Sequence, residues 1–136
     1  MTNGTARRSG RMEVGLVVGD LEAATIFYRD LLGLQFLVDL PIPNGLMRRF
    51  SHGESVVKLV KFDAPQPLAN PGGGISGRAT GLRYFTLEIN DVEPTVQRCL
   101  AAGVSVPVPV KKFGQTIFAM IADPEGNWIE VIQTGP

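Results

Sequence analysis

The sequence predicts an α+β fold of two βαβββ modules, which together form a curved mixed sheet around a cleft. Three observations carry it. An apolar, strand-like run that stops at an Asp and continues with helical spacing occurs twice, near residues 13–31 and 82–102. Each occurrence is followed by a Gly and then by three strand-like runs. The two copies also align: Glu13-Val14-Gly15-Leu16 against Tyr84-Phe85-Thr86-Leu87, Asp20 against Asp91, Gly33 against Gly103, and Val57-Lys58-Leu59-Val60 against Ile129-Glu130-Val131-Ile132. A duplicated unit of this kind packs as two similar halves, each a sheet with its helix on one face.

Taken in order, Val14, Leu16 and Val18 alternate with Glu13, Gly15 and Val17. The first set is expected against the helix, and the second toward the concave side. Asp20 is a good N-cap, with Glu22 in the first turn. Ala24, Phe27, Tyr28 and Leu31 recur at helical spacing, and Gly33 ends the helix. Strands follow at 35–40, 46–50 and 56–62, with turns at 41–45 and 51–54. Residues 63–80, rich in Pro and Gly, read as a linker or mobile loop. The second module repeats the order. A strand is expected at 82–89, an N-cap at Asp91, a helix at 92–102, and strands at 104–110, 115–122 and 128–133. Asp123-Pro124-Glu125-Gly126-Asn127 is a strong turn before the last of these. The organisation is therefore one domain over 1–136, with module one at about 11–62, the linker at 63–80 and module two at about 81–134.

Composition bounds the function. The 136 residues can bury a sizeable core, and 13 basic against 13 acidic side chains give a net charge of zero. That balance argues against a nucleic-acid or membrane surface. The one basic cluster, Arg7, Arg8 and Arg11, reads as a solvated tail. No apolar run reaches about 18 residues, and no secretory signal is evident. A lone cysteine, Cys99, fits a reducing compartment and a core position, so a cytoplasmic protein is expected. No Ser-His-Asp set can be built around the single His52. The run Pro71 to Gly74 lacks the strand–helix context and the Lys-Ser or Lys-Thr of a phosphate loop, and reads as a connector or lid.

The segments VGLVVGDLEAATIFYRDLLGL, FTLEINDVEPTVQRCLAAGV and IADPEGNWIEVIQ, in this order, resemble the vicinal oxygen chelate superfamily. It includes glyoxalase I, extradiol dioxygenases, methylmalonyl-CoA epimerase, fosfomycin-resistance enzymes and bleomycin-binding proteins. The resemblance covers about residues 12–134 and implies the glyoxalase-like fold, often dimeric. It also implies four metal-ligand positions on the first and last strand of each module, which here hold Glu13, Lys58, Tyr84 and Glu130. Protonated Lys58 repels a divalent ion, and a neutral tyrosine is a poor ligand. Two carboxylates remain, fewer than the usual three or four protein ligands. The metal site is therefore read as lost, and no cofactor is expected.

Two readings of the four positions follow. In one, Lys58 and Glu130 form an ion pair in place of the metal, and Glu13 and Tyr84 are hydrogen-bonded, without chemistry. In the other, the four are catalytic: Glu13, with a pKa raised by desolvation, is a general base, Tyr84 donates to an oxyanion, and Lys58 neutralises an enolate or a carboxylate. Trp128, Arg48, Phe50 and Phe113 are the candidate substrate-binding residues, although large apolar residues on strands are more often core. Arg48 and Arg49 are adjacent, so only one of them points inward. The resulting expectation is a homodimeric, metal-independent isomerase or lyase acting on a small organic ligand. Its alternatives are a non-catalytic antibiotic-binding protein and a metal enzyme with atypical ligands.

Overall fold

A computed structural model of the chain describes residues 8 and 10–135. Arg7, part of the expected basic tail, lies outside them. Module one runs β1 (Glu13–Val17), α1 (Leu21–Thr25) extended by a π-helical segment (Ile26–Leu31), β2 (Gln35–Ile42), β3 (Gly45–His52) and β4 (Ser55–Phe62). Module two runs β5 (Tyr84–Glu88), α2 (Val92–Ala101), β6 (Val108–Phe113), β7 (Thr116–Ala122) and β8 (Trp128–Gln133). The strands form two mixed four-stranded sheets, ordered β1-β4-β3-β2 and β5-β8-β7-β6, in which the first strand of each module runs parallel to its last.

The repeat alignment is reproduced in the strand register. Glu13 lies beside Val56 and Gly15 beside Lys58, while Tyr84 lies beside Trp128 and Thr86 beside Glu130. Both helices and the inner faces of both sheets share one apolar core, with Phe27, Tyr28, Phe50, Leu59, Ile121 and Ile129 among its largest members. Cys99 is buried there, and burial pushes its thiol pKa up.

Several elements depart from expectation. The first helix is not α-helical throughout: Leu32 N–H donates to the Phe27 carbonyl at 3.0 Å, a five-residue span. The wider turn lets the neighbouring Phe27 and Tyr28 rings both enter the core, in an edge-on contact at 4.8 Å. The β2–β3 turn is tighter than expected, because Pro41 lies in edge strand β2 and the chain reverses at Pro43-Asn44, with Asn44 at φ 61°. The strand expected from residue 104 starts only at Val108. Asp20 caps α1 by accepting from Ala23 N–H at 2.9 Å. The Asp91 side chain makes no such bond: Gln133 of β8 caps Val92 N–H at 3.1 Å instead, and Asp91 pairs with Arg98.

The linker is a fastened strap. It includes a short 3₁₀ turn (Gly74–Ser76). Asn70 Nδ2 donates to the Glu125 carbonyl at 3.1 Å and to Asn127 Oδ1 at 2.9 Å. The Arg83 guanidinium donates to the carbonyls of Gly72 and Gly74.

Candidate functional site

Strand parity and register divide each sheet into a helix-packed face and an outer face. On sheet one, Val14, Leu16, Val57 and Leu59 pack into the core. Glu13, Gly15 and Val17 therefore point outward, together with Lys58 on β4 and with Arg49 on β3, which lies opposite Lys58. The Glu13 carboxylate sits among cations: Lys58 Nζ at 3.2 Å from one oxygen, and Arg49 and Arg11 each at 3.4 Å from the other. The Lys58 hydrogen bond holds the Glu13 pKa below the usual carboxylate range, against desolvation, and the charges of Arg49, Lys58 and Arg11 add to the effect. The expectation of a raised carboxyl at Glu13 is thereby corrected. Among the described residues, Glu13 is an ionised clamp that gathers three cations around one anion. Arg11, expected in a solvated tail, is part of it.

On sheet two, Tyr84 and Thr86 of β5 share the outer face with Trp128 and Glu130 of β8. Thr86 Oγ1 donates to Glu130 Oε1 at 2.8 Å. Phe113 of β6 is mostly exposed and stacks on Phe118 at 5.8 Å with the rings 11° apart. Trp128 is partly buried, and Gly74 of the strap lies against its indole.

The four aligned positions thus fall into two bonded groups. Among the described residues no hydrogen bond or ion pair joins Glu13 or Lys58 to Tyr84 or Glu130. Neither the expected Lys58–Glu130 ion pair nor the expected Glu13–Tyr84 hydrogen bond is formed; Lys58 pairs with Glu13 instead.

Two of the expected ligand contacts face the helix side of the sheet, away from Glu13 and Lys58. Phe50 is fully buried in the core, edge-on to Phe36 at 6.1 Å. Arg48 turns to the helix side, where it donates to both Asp39 oxygens at 2.8 and 2.9 Å and to Thr25 Oγ1 at 3.1 Å. Arg49 is the arginine of the outer face, and sequence reasoning left it unassigned. Thr86 was missed too, although its place two residues after Tyr84 puts it on the same strand face. His52 is engaged elsewhere, its Nε2 lying 2.8 Å from the Glu88 carbonyl oxygen.

The chemistry of this donor set does not fit a divalent ion. Two carboxylates, an ammonium and a phenol replace the nitrogen- and oxygen-rich set such an ion needs, and the ammonium already occupies one carboxylate. Among the described residues no group of three His, Cys, Asp or Glu side chains is placed to share one ion.

A family model described as the Glyoxalase/Bleomycin resistance protein/Dioxygenase superfamily matches residues 11–131. A lactoylglutathione lyase of Arabidopsis thaliana is 30% identical over 88% of this chain, which spans only 42% of that protein's length. A probable lactoylglutathione lyase of Synechocystis sp. is 29% identical, over 86% of this chain and 89% of its own. Among solved structures, an antibiotic binding protein from Streptomyces sp. CB03234 is 25% identical with a TM-score of 0.72, covering 96% of this chain and 100% of its own. A glyoxalase family protein from Bacillus cereus superposes with a TM-score of 0.81 at 18% identity, covering 100% of this chain and 99% of its own, a likeness of fold.

Proposed function

The chain belongs to the glyoxalase/bleomycin resistance protein/dioxygenase superfamily, and from that premise we propose that it is a metal-independent isomerase or lyase acting on a small organic molecule. The observation that carries this reading is the unequal state of the two carboxylates. Among the described residues, Glu13 is clasped by Lys58, Arg49 and Arg11, whereas Glu130 accepts only from the neutral Thr86 hydroxyl. Glu130 is therefore the general base. It takes the proton from a carbon next to a carbonyl, and the C–H electron pair moves into the carbonyl to give an enolate. Tyr84, on the same face, donates to the enolate oxygen. Lys58 and Arg49, held in place by Glu13, bind an anionic group of the substrate. Return of the proton to the same or a neighbouring carbon completes an isomerisation; departure of a β-substituent from the enolate completes an elimination. The lactoylglutathione lyase relatives support an activity of this class. The protein works as a cytoplasmic, single-domain homodimer.

The test is exchange of substrate C–H protons with solvent deuterium, followed by NMR for 2-oxo acids, α-hydroxyketones and acyl thioesters, in chelator-treated buffer. Wild type is expected to catalyse exchange in at least one of these classes, and Glu130→Gln to slow it about 10²–10⁴-fold. Exchange that disappears on chelation and returns with a divalent ion would overturn the metal-independent reading.

A second reading has its own support. The outer face of sheet two is aromatic, with Tyr84, Trp128 and the Phe113–Phe118 stack, and an antibiotic binding protein has the same fold. A flat aromatic compound that binds tightly without exchange in any class would favour a sequestering protein.

A further inference from the structure

We propose that residues 70–77 form a strap that opens, and that opening uncovers a subsite for a planar organic anion built from the Trp128 indole and the Arg83 guanidinium. For the ligand it admits, the inference rests on the outer face being the working face; the opening itself does not.

The strap stands where a planar ligand would stack. A Cβ built on Gly74 would fall 2.1 Å from an indole carbon, so the backbone lies directly on the ring. Gly72, Gly73 and Gly74 have φ of 70°, 74° and 49°, a left-handed run open to glycine at little cost. What remains between strap and body is a crevice of about 50 Å³ lined by Gly74, Arg83, Tyr84 and Trp128. That is room for one or two water molecules and for no organic ligand.

The fastening is of a kind that can be undone. The apolar side chains in and beside the strap do not anchor it: Leu68 is 87% exposed and Ile75 57%. The hold consists of hydrogen bonds from Asn70 and Arg83 and the contact of Gly74 with the indole. Water replaces such bonds on opening, whereas a buried apolar anchor would have no substitute. On the other side of Asn70 an open groove of about 750 Å³, lined by Ala64, Pro65 and Leu68 on one flank and by Val17 and Gly19 on the other, leaves space into which the strap can move.

Opening changes the chemistry of the site. The Arg83 N–H groups that now hold the Gly72 and Gly74 carbonyls become available as a fork for a carboxylate, and the indole face beside them is bared for a flat ring or conjugated chain. An anion is the natural competitor, because a carboxylate adds opposite charge and a bidentate fit to the Arg83 fork that neutral carbonyls do not supply.

Trp128 is the chain's single tryptophan, so its fluorescence reports the strap without any ligand or turnover. Gly74→Ala is expected to shift the emission to the red and raise acrylamide quenching several-fold, with far-UV circular dichroism unchanged. Leu68→Ser, at an exposed site, is expected to leave both as in wild type. Native-state hydrogen exchange of the wild type supplies the second arm. The amides of Gly72, Ser76 and Gly77 are expected to exchange through local opening, at least a hundredfold faster than those of β8. Unchanged quenching in folded Gly74→Ala, or strap amides as protected as β8, would overturn the opening. The ligand arm uses phenylpyruvate in calorimetric titration. Gly74→Ala is expected to bind it several-fold more tightly than wild type, and Gly74→Ala with Arg83→Gln to lose that gain. Equal affinity in all three proteins would overturn the subsite while leaving the catalytic reading of Glu130 to its own test.

Discussion

Asp123 is a buried carboxylate with four donors. Tyr28 Oη donates at 2.6 Å and Asn127 Nδ2 at 3.0 Å to one oxygen, and the Glu125 and Asn127 amides donate at 2.9 Å to the other. The Tyr28 bond ties the helix of module one to the last turn of module two. Burial, followed by the charge and hydrogen bond of Asp123, pushes the Tyr28 pKa well above its ordinary 10.0. A pKa higher in the folded than in the unfolded state gives stability that is complete below the unfolded value and lost as pH rises toward the folded one. Tyr28→Phe is therefore expected to lower stability near neutral pH by about 1.5–3 kcal/mol, the worth of a bond to a charged acceptor. It should also flatten the alkaline decline, measured by urea unfolding at about pH 7 and about pH 10.5. Equal alkaline declines in the two proteins would count against this assignment. The neighbouring arginines offer a second contrast. The Arg48 bonds hold the Asp39 pKa below its ordinary 3.8, a contribution present above that value and lost as pH falls below it. Arg48→Ala is expected to cost about 1–2 kcal/mol of stability and to leave ligand binding intact. Arg49→Ala should do the reverse, weakening an anionic ligand with little change in the urea midpoint.

At the scale of elements, the two helix starts look alike in sequence and differ in structure. Asp20→Ala is expected to destabilise by about 1 kcal/mol, because it removes a side-chain cap. Asp91→Ala should cost clearly less, because Gln133 caps that helix from β8. Thermal unfolding of the two variants side by side checks the difference, and equal losses would show that the capping bonds do not set it. The contrast marks what a sequence can disclose. Alternation along β1 was enough to put Glu13 and Val14 on opposite faces, since a strand's period is local. For Arg48 and Arg49, alternation says that they diverge but not which of them faces outward; that is set by the pairing of Arg49 with Lys58 across β3 and β4. The π-helical turn was hidden because Ala24, Phe27, Tyr28 and Leu31 satisfy ordinary helical spacing equally well. The Pro- and Gly-rich composition of residues 63–80 reads as a linker or mobile loop, because the residues that fasten the strap, Asn70 to the β7–β8 turn and Arg83 back across eleven residues, act outside any local pattern.

At the scale of the molecule, one apolar core contains side chains from both modules, and Tyr28–Asp123, Gly19–Glu125 and His52–Glu88 contacts join them. Neither module can bury its helix face alone, so a single cooperative urea transition is expected, the same by fluorescence and by circular dichroism. Satisfaction is less complete at the sheet edges. Val18 N–H donates to Val60 and Val56 N–H to Met12, so the backbone groups of Gly15 and Val17 point away from β4. Among the described residues no strand pairs with that side of β1, or with the matching side of β5. Beside these edges Met12, Val17, Leu82 and Tyr84 are exposed large side chains. Unpaired edges flanked by apolar surface invite a second chain, and a symmetric closed dimer satisfies both at once. Light scattering is therefore expected to give twice the chain mass. Val17→Lys, which adds a charge beside the edge without touching the core, should shift the protein toward monomer with its circular dichroism unchanged. A wild-type monomer at every concentration reached would leave the two edges bare. The clamp on sheet one and the proposed base on sheet two would then have to meet within a single chain, although no bond among the described residues now links them.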